Sequence, residues 1–143
     1  IVVEALQFVF TTLKEAHPDV VVGLHCCGNT DWGLVLSAEP DVLSFDAFNY
    51  GETLLLYGDA LAAHTQRGGV FAVGIVPTDA AVASVSCQQL AQKAHDLIDD
   101  IVHKAGQQAS FILTPSCGAG SLNEEMGQRV FNLLQEVGAV LRA

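Results

Sequence analysis

The stretch from Asp19 to Asn29, Asp-Val-Val-Val-Gly-Leu-His-Cys-Cys-Gly-Asn, decides the expected fold. Its β-branched run, Val20–Val22, predicts a strand over residues 19–24 that is buried on both faces, as strands of parallel sheets are. Asp31 then offers an N-cap for a following helix. A histidine and two cysteines therefore lie where a buried strand opens into a loop. In α/β folds, this is the end of the strand where chemistry is carried out.

A second stretch with the same organisation lies about ninety residues later. Residues Ile112 to Gly118 read Ile-Leu-Thr-Pro-Ser-Cys-Gly, which again is a strand that leads into a cysteine and a glycine-containing loop. We therefore expect the two strand ends to meet, with Cys117 from the second facing His25 and Cys27 from the first, around a metal ion.

Between and around these stretches, hydrophobic periodicity predicts alternating helices and strands. The predicted helices cover residues 1–16, 31–38, 52–66, 87–104 and 123–141, and the predicted strands cover residues 19–24, 41–46, 70–76 and 110–114. The pattern is one helix followed by four βα units, with connections short enough for a single domain over residues 1–143.

Two α/β architectures fit this pattern: a small open parallel sheet, or the C-terminal half of an eight-stranded (β/α)8 TIM barrel. The composition favours the half barrel, because 50% of the residues are hydrophobic and 15% are charged, against roughly 25% charged in typical domains. The helix predicted over residues 1–16 has no strand before it, which also favours the half barrel. The chain begins at Ile1 rather than at methionine, and we expect it to be part of a longer protein.

Charge and cysteine content exclude several classes of function. The net charge is −10, from 16 acidic and 6 basic residues, and without a basic patch a nucleic-acid partner is not expected. No apolar run approaches the ~20 residues that span a bilayer, so we expect no membrane segment.

Four cysteines in a chain of this length do not resemble a secreted disulfide framework. They predict thiols kept for metal or catalysis in the reducing cytoplasm.

The candidate metal ligands follow from the alternation of side chains along extended backbone. His25 and Cys27 should project to one face, while Cys26 points into the packing between strand and helices. Together with Cys117 they offer the nitrogen and sulfur donors of a catalytic zinc site, which has three protein ligands and an exchangeable position. Asp46, at the end of the next strand, is the candidate fourth ligand, and Asn49 beside it is the candidate substrate-binding residue.

Each of these residues also has a purely structural interpretation. Free cysteines often merely pack in the core, and Cys87, which opens a predicted helix, is expected to be structural. The remaining histidines lie on helices or at their ends, where we expect them to be solvated or capping: His17, His64, His95 and His103. Asp46 and Asp79 could cap the segments that follow them, and for Asp79 the cap is the preferred interpretation.

Three segments carry a resemblance to a known family: Leu24 to Asn29, Asp41 to Asp46 and Thr114 to Gly118. They resemble the C-terminal half of the cobalamin-independent methionine synthase barrel. They also resemble its relatives in the superfamily shared with uroporphyrinogen decarboxylase and the corrinoid-dependent methyltransferases. The resemblance covers nearly the whole chain in order. The motifs that are specific to the family are His25-x-Cys27 and, near the end of the chain, Cys117-Gly118.

The resemblance implies a zinc-dependent methyltransferase of methionine biosynthesis. In that family a His, two Cys and a Glu hold zinc, and these positions fall on His25, Cys27, Cys117 and Asp46, with Asp46 departing from the family's Glu. Zinc would convert a homocysteine-like thiol into a thiolate that attacks a methyl donor, a folate or a corrinoid. The Cys-Gly-Asn after His25 looks closer to the corrinoid-linked enzymes.

Two alternatives remain open at this point: a uroporphyrinogen decarboxylase-like protein, whose family uses no metal, and an inactive half-barrel fragment. The family's first barrel half carries much of its substrate recognition, so activity is expected only within a complete barrel. A half barrel would expose its sheet edges. We therefore expect either self-association or pairing with the missing half.

Overall fold

A computed structural model describes all 143 residues and shows an α/β fold built on a four-stranded parallel sheet. In chain order the elements are α1 Val2–Ala16, β1 Gly23–Cys26, α2 Trp32–Ser37, β2 Val42–Phe45, α3 Ala47–Leu54, α4 Gly58–Gln66, β3 Val70–Val76, a short 3-10 helix Ala80–Ala83, α5 Cys87–Ala105, β4 Ser110–Pro115 and α6 Glu124–Arg142. None of these helices combines the length and the apolarity that crossing a membrane requires.

The strands lie in sequence order, β1-β2-β3-β4, and each pair is parallel. Right-handed crossovers in such an order place every connecting helix on the same face of the sheet. The register aligns a large apolar row that packs against the helices: Leu24, Leu43, Phe71 and Phe111. The row beside it points to the opposite face of the sheet: His25, Ser44, Ala72 and Ile112.

The first strand lies later in the chain than the sequence predicts, and it is not buried on both faces. β1 covers Gly23–Cys26, not residues 19–24, with alternating exposed and half-buried residues, and Val21 is 68% exposed. The Asp41 carboxylate accepts the Val22 N–H at 2.9 Å and the Lys14 ammonium at 2.6 Å. The Val22 carbonyl oxygen in turn accepts the Asp41 backbone N–H at 2.8 Å. The end of the valine run is therefore bonded both to the backbone that leads into β2 and, through the Asp41 carboxylate, to α1.

One helix is predicted over residues 52–66, but the structure has two helices in this region, and the first begins at Ala47. The Asp46 carboxylate caps α3 directly after β2, accepting the backbone N–H of Asn49 at 2.9 Å. α3 then ends at Leu54, and a short turn with the 81% exposed Leu56 leads into α4. An N-cap at the strand end thus starts the helix five residues before the position that periodicity indicates.

The second half of the chain matches its prediction closely. β3 covers the predicted residues 70–76, and α5 begins with a capping box between Ser86 and Gln89 and ends at Gly106, whose φ of 69° is the left-handed conformation of a C-cap. Asp79 caps the 3-10 helix by accepting the Ala81 N–H at 2.8 Å, which confirms its structural interpretation.

His64 is a buried core residue, which corrects the expectation that it is solvated or capping. Its side chain is 0% exposed and packs edge-on against the ring of Phe71, 4.8 Å between centroids. Its Nε2 lies 3.3 Å from the Val70 carbonyl oxygen, while Nδ1 has no partner. A Cβ on Gly69 would overlap the imidazole. Burial, the largest influence, lowers the pKa of His64 below its ordinary 6.5.

We expect this histidine to make folding sensitive to mild acid. Below pH 6.5 the unfolded chain takes up a proton at His64, whereas the folded chain does so only at lower pH. Stability is therefore lost as the pH falls from 6.5 toward the lowered pKa, by at most about 1.4 kcal/mol per pH unit. Denaturant unfolding at pH 7.5 and 5.5 measures the loss, and His64→Gln should remove it. Equal losses in both proteins would contradict this origin.

Candidate metal centre

Three of the predicted ligands come together in the structure. His25, Cys27 and Cys117 each offer one donor atom, and these three atoms lie within 4.8 Å of one another. All three side chains are exposed to solvent. The predicted meeting of the two strand ends is therefore confirmed, and the cluster is a possible metal-binding group.

The cluster joins the ends of the two outermost strands. His25 and Cys27 belong to the end of β1 and Cys117 follows β4, and these are the two outermost strands. In a flat sheet, three spacings of about 4.8 Å would hold such strands about 14 Å apart. The donor atoms lie within 4.8 Å of one another, so the His25 side chain and the residues that follow the two strands, Cys27 and Cys117, span the distance between the edge strands.

Local backbone geometry explains the positions of His25 and Cys27. His25 is the third residue of the four-residue strand β1, and Cys27 lies one residue beyond its end. Cys26, between them, packs against the hydrophobic core and donates through Sγ to the Gly28 carbonyl oxygen at 3.4 Å. The alternation predicted from the His-x-Cys spacing is confirmed.

Cys117 is held by the irregular end of the β3–β4 pair. The register between these strands shifts between Gly74 and Val76, and the Ser116 N–H then donates to the Val76 carbonyl oxygen at 2.8 Å. The buried Ser116 hydroxyl accepts the Thr78 N–H at 3.2 Å. These bonds fix the backbone next to Cys117, so a bulge directs its thiol to the cluster.

Ser44, which the sequence does not mark as a site residue, orients His25. Its hydroxyl lies 2.8 Å from Nδ1 of His25, across the paired strands β1 and β2. With Nδ1 engaged, Nε2 is the nitrogen that remains free for a ligand. Metal-binding histidines usually hold their second nitrogen in such a bond. Finding Ser44 requires the strand register, which the sequence does not provide.

The two exposed thiols interact with each other. A hydrogen bond with the Cys117 side chain, followed by the charge of Cys117, raises the pKa of Cys27 above its ordinary 9.0. Two neighbouring thiolates repel each other, so the sulfur of Cys117 disfavours the thiolate form of Cys27. A cation between the two sulfurs would remove this repulsion and favour both thiolates.

Asp46 and Asn49 are not brought into the cluster. Asp46 is 5% exposed, and both of its oxygens are occupied by Asn49: Oδ1 accepts the backbone N–H at 2.9 Å and Oδ2 accepts the side-chain amide at 2.7 Å. The donor group within 4.8 Å contains His25, Cys27 and Cys117 without Asp46. The carboxylate serves here as a helix cap, and its role as a ligand and that of Asn49 toward substrate stay predictions.

The sulfur atoms of the remaining cysteines are not in the cluster. Cys87 is half-buried at the start of α5, where it packs against the core, as expected for a structural residue.

A cavity of about 600 Å³ lies between α3 and α5, with the Lys93 ammonium 5.0 Å from the centre of the Phe48 ring. None of the cluster residues lines it, so it is separate from the candidate metal centre.

The cluster therefore presents one imidazole and two thiols to solvent at the carboxyl end of a parallel sheet. Such a set can hold a thiophilic metal and leave a coordination position accessible from outside. Comparison of the chain with protein-family models, with curated proteins and with solved structures gives no match.

Proposed function

We propose that the cluster binds zinc and activates a substrate thiol for methyl transfer, as in the cobalamin-independent methionine synthases that the sequence resembles. The observation that carries this proposal is the convergence of the donor atoms of His25, Cys27 and Cys117 within 4.8 Å. Their exposure favours a ligand role over the packing role that a decarboxylase-like protein would give to Cys27 and Cys117.

The donor set fits zinc in both type and spacing. Zinc takes thiolate and imidazole ligands, and tetrahedral bonds of about 2.0–2.3 Å place ligand atoms about 3.5–3.8 Å apart. Atoms that already lie within 4.8 Å need to move by only about an ångström. Such a movement is available to exposed side chains by small rotations about χ1.

Each residue then has a defined part in the chemistry. When bound, zinc supplies a Lewis acid that lowers the pKa of a coordinated substrate thiol. Cys27 and Cys117 would serve as thiolates, whose charge keeps the site electron-rich, and His25 would bind through Nε2. Ser44 would keep the imidazole in the orientation that its 2.8 Å bond to Nδ1 defines.

We further propose that the sheet is half of a (β/α)8 barrel. Three features support this: the sequential strand order, the helices that such an order places on one face, and the meeting of side chains from the ends of β1 and β4. Active sites in these barrels lie at the carboxyl ends of the strands, where the cluster lies. The substrates we propose are a homocysteine-like thiol and a folate or corrinoid methyl donor, in a reducing cytoplasm.

Thiol coordination is the property that tests this function. We expect X-ray absorption of the zinc-loaded chain to give two sulfur ligands, and three after addition of homocysteine, because the thiol enters the accessible position. Methionine, whose sulfur is a thioether, should leave the count at two. A count that stays at two with saturating homocysteine would contradict a thiol-activating role.

Ser44→Ala is expected to weaken zinc binding about tenfold, since outer hydrogen-bond partners of metal-binding histidines typically contribute 10–100-fold to affinity. Competition with a chromophoric chelator measures the change. Ser44→Thr keeps the hydroxyl and should retain the affinity of the unaltered chain. Equal affinities for the alanine and threonine variants would show that the hydroxyl does not orient His25.

A further inference from the structure

We propose that Cys27 and Cys117 form a reversible disulfide, which makes the cluster a site of redox modification. Their sulfur atoms lie within 4.8 Å of each other, and both side chains are exposed to solvent. The bond forms within one chain, so it needs no partner surface. Its formation does not depend on zinc, and only its effect on zinc binding rests on the function proposed above.

The two sulfurs can reach bonding distance by local movement. A disulfide places them about 2.0 Å apart, and a change of one staggered χ1 rotamer moves a cysteine sulfur by roughly 3 Å. Cys27 and Cys117 both lie outside the strands, and neither makes a backbone–backbone hydrogen bond. The glycines that follow them, Gly28 and Gly118, have open space where a Cβ would lie. The backbone beside each thiol can therefore adjust without disrupting the sheet.

The other two cysteines are poor partners for this pair. Cys26 packs against the core, and its Sγ donates to the Gly28 carbonyl oxygen at 3.4 Å. Cys87, at the first residue of α5, is half-buried and also packs against the core. A bridge between the adjacent Cys26 and Cys27 would be strained, because consecutive Cα atoms lie only about 3.8 Å apart. The fold therefore selects one pair among the four thiols.

A peroxide is the oxidant that we infer, and the reaction with it balances with water as the product. One cysteine sulfur attacks a peroxide oxygen, the O–O bond breaks, and a sulfenic acid and one water result. The second sulfur then attacks the sulfenic sulfur, so that the S–S bond forms, the S–O bond breaks and a second water leaves. The two thiols together lose two electrons and two protons to one molecule of hydrogen peroxide.

The disulfide would remove both sulfur ligands from the cluster. Zinc binds cysteine as the thiolate, and two sulfurs joined to each other leave the His25 imidazole as the one remaining donor of the three. Exposed disulfides are among the more readily reduced ones, so a dithiol reductant would break the bond by exchange and restore both thiols. Oxidation would thus release zinc, and reduction would allow it to bind again.

Thiol counting on the metal-free chain tests the disulfide. A small excess of hydrogen peroxide should lower the number of cysteines that can be alkylated from four to two, without linking chains to one another. Trypsin, which cuts after lysine and arginine, should then release residues 15–67 joined to residues 105–129. Treatment with dithiothreitol should separate these two peptides and restore four free thiols.

Cys27→Ser and Cys26→Ser form a matched pair of variants, because both cysteines lie in the same tryptic peptide. Cys27→Ser should abolish the linked peptide, whereas Cys26→Ser should retain it. Far-ultraviolet circular dichroism confirms that both variants are folded before they are compared. Absence of the linked peptide in the unaltered chain, or an equal yield from the two variants, would overturn the inference.

Zinc affinity before and after oxidation separates this inference from the proposed function. Competition with a chromophoric chelator should give an affinity at least 100-fold lower for the linked chain, and reduction, with the reductant then removed, should restore it. A linked chain that binds zinc as tightly as the reduced one would overturn the redox control. A reduced chain without zinc affinity would defeat the proposed function but not the disulfide, and a zinc-binding chain whose thiols stay unlinked would defeat only the disulfide.

Discussion

Cys117→Ser is expected to lower zinc affinity by more than about 100-fold. Outer partners of metal ligands alone contribute 10–100-fold, and this change removes a thiolate ligand itself. The substituted hydroxyl is nearly the same size and the residue is exposed, so the fold should be unaffected. Titration against a chromophoric chelator at pH 7.5 under reducing conditions measures the affinity directly.

Cys87→Ser is the matched control, because Cys87 is half-buried at the first residue of α5 and takes no part in the cluster. Its zinc affinity should equal that of the unaltered chain. If Cys117→Ser and Cys87→Ser lower the zinc affinity equally, or if neither lowers it, the assignment of Cys117 as a zinc ligand is wrong.

Gly74→Ala is expected to destabilise the fold by about 3 kcal/mol, at the upper end of overpacking effects. A Cβ there would meet backbone atoms that cannot rotate away: the Phe45 carbonyl oxygen, the Ser116 Cα at 2.9 Å and the Pro115 carbonyl oxygen at 3.0 Å. The contact with Ser116 would also shift the segment that holds Cys117. Zinc affinity should therefore fall together with the denaturation midpoint.

Gly120→Ala provides the comparison, since a Cβ at Gly120 meets no atom within 4 Å. It should change the free energy of unfolding by less than about 0.5 kcal/mol and leave zinc affinity unchanged. If Gly74→Ala were equally mild, the close approach of the backbones at the β3–β4 bulge would not be essential to the site.

The fold was predictable wherever one local signal decided an element. The run Val70–Val76 and the amphipathic pattern of Cys87–Ala105, with its glycine cap at Gly106, give β3 and α5 nearly residue for residue. The valines before β1 predicted a strand that starts too early, because strand propensity does not reveal where a strand finds its partner. At Val22 the N–H donates to a side chain, the carboxylate of Asp41 nineteen residues away, and only the carbonyl oxygen accepts backbone N–H groups.

The site was predictable to the extent that it depends on alternation and strand ends. His25 and Cys27 share a face because they are two residues apart, and Cys117 lies at the corresponding end of β4. Asp46 could not be assigned in this way, because a carboxylate after a strand can serve equally as a ligand or as a cap, and here it caps α3. Ser44 depends on the register of β1 with β2, a long-range property that no local pattern encodes.

Metal content per chain tests the central claim most directly. Protein purified under reducing conditions without added metal, or reconstituted with zinc and desalted, should contain about one zinc per chain by elemental analysis, as a single three-ligand site requires. Cys27→Ala should lose it. Zinc-free protein after reconstitution, or one zinc retained in Cys27→Ala, would contradict a metal centre built from His25, Cys27 and Cys117.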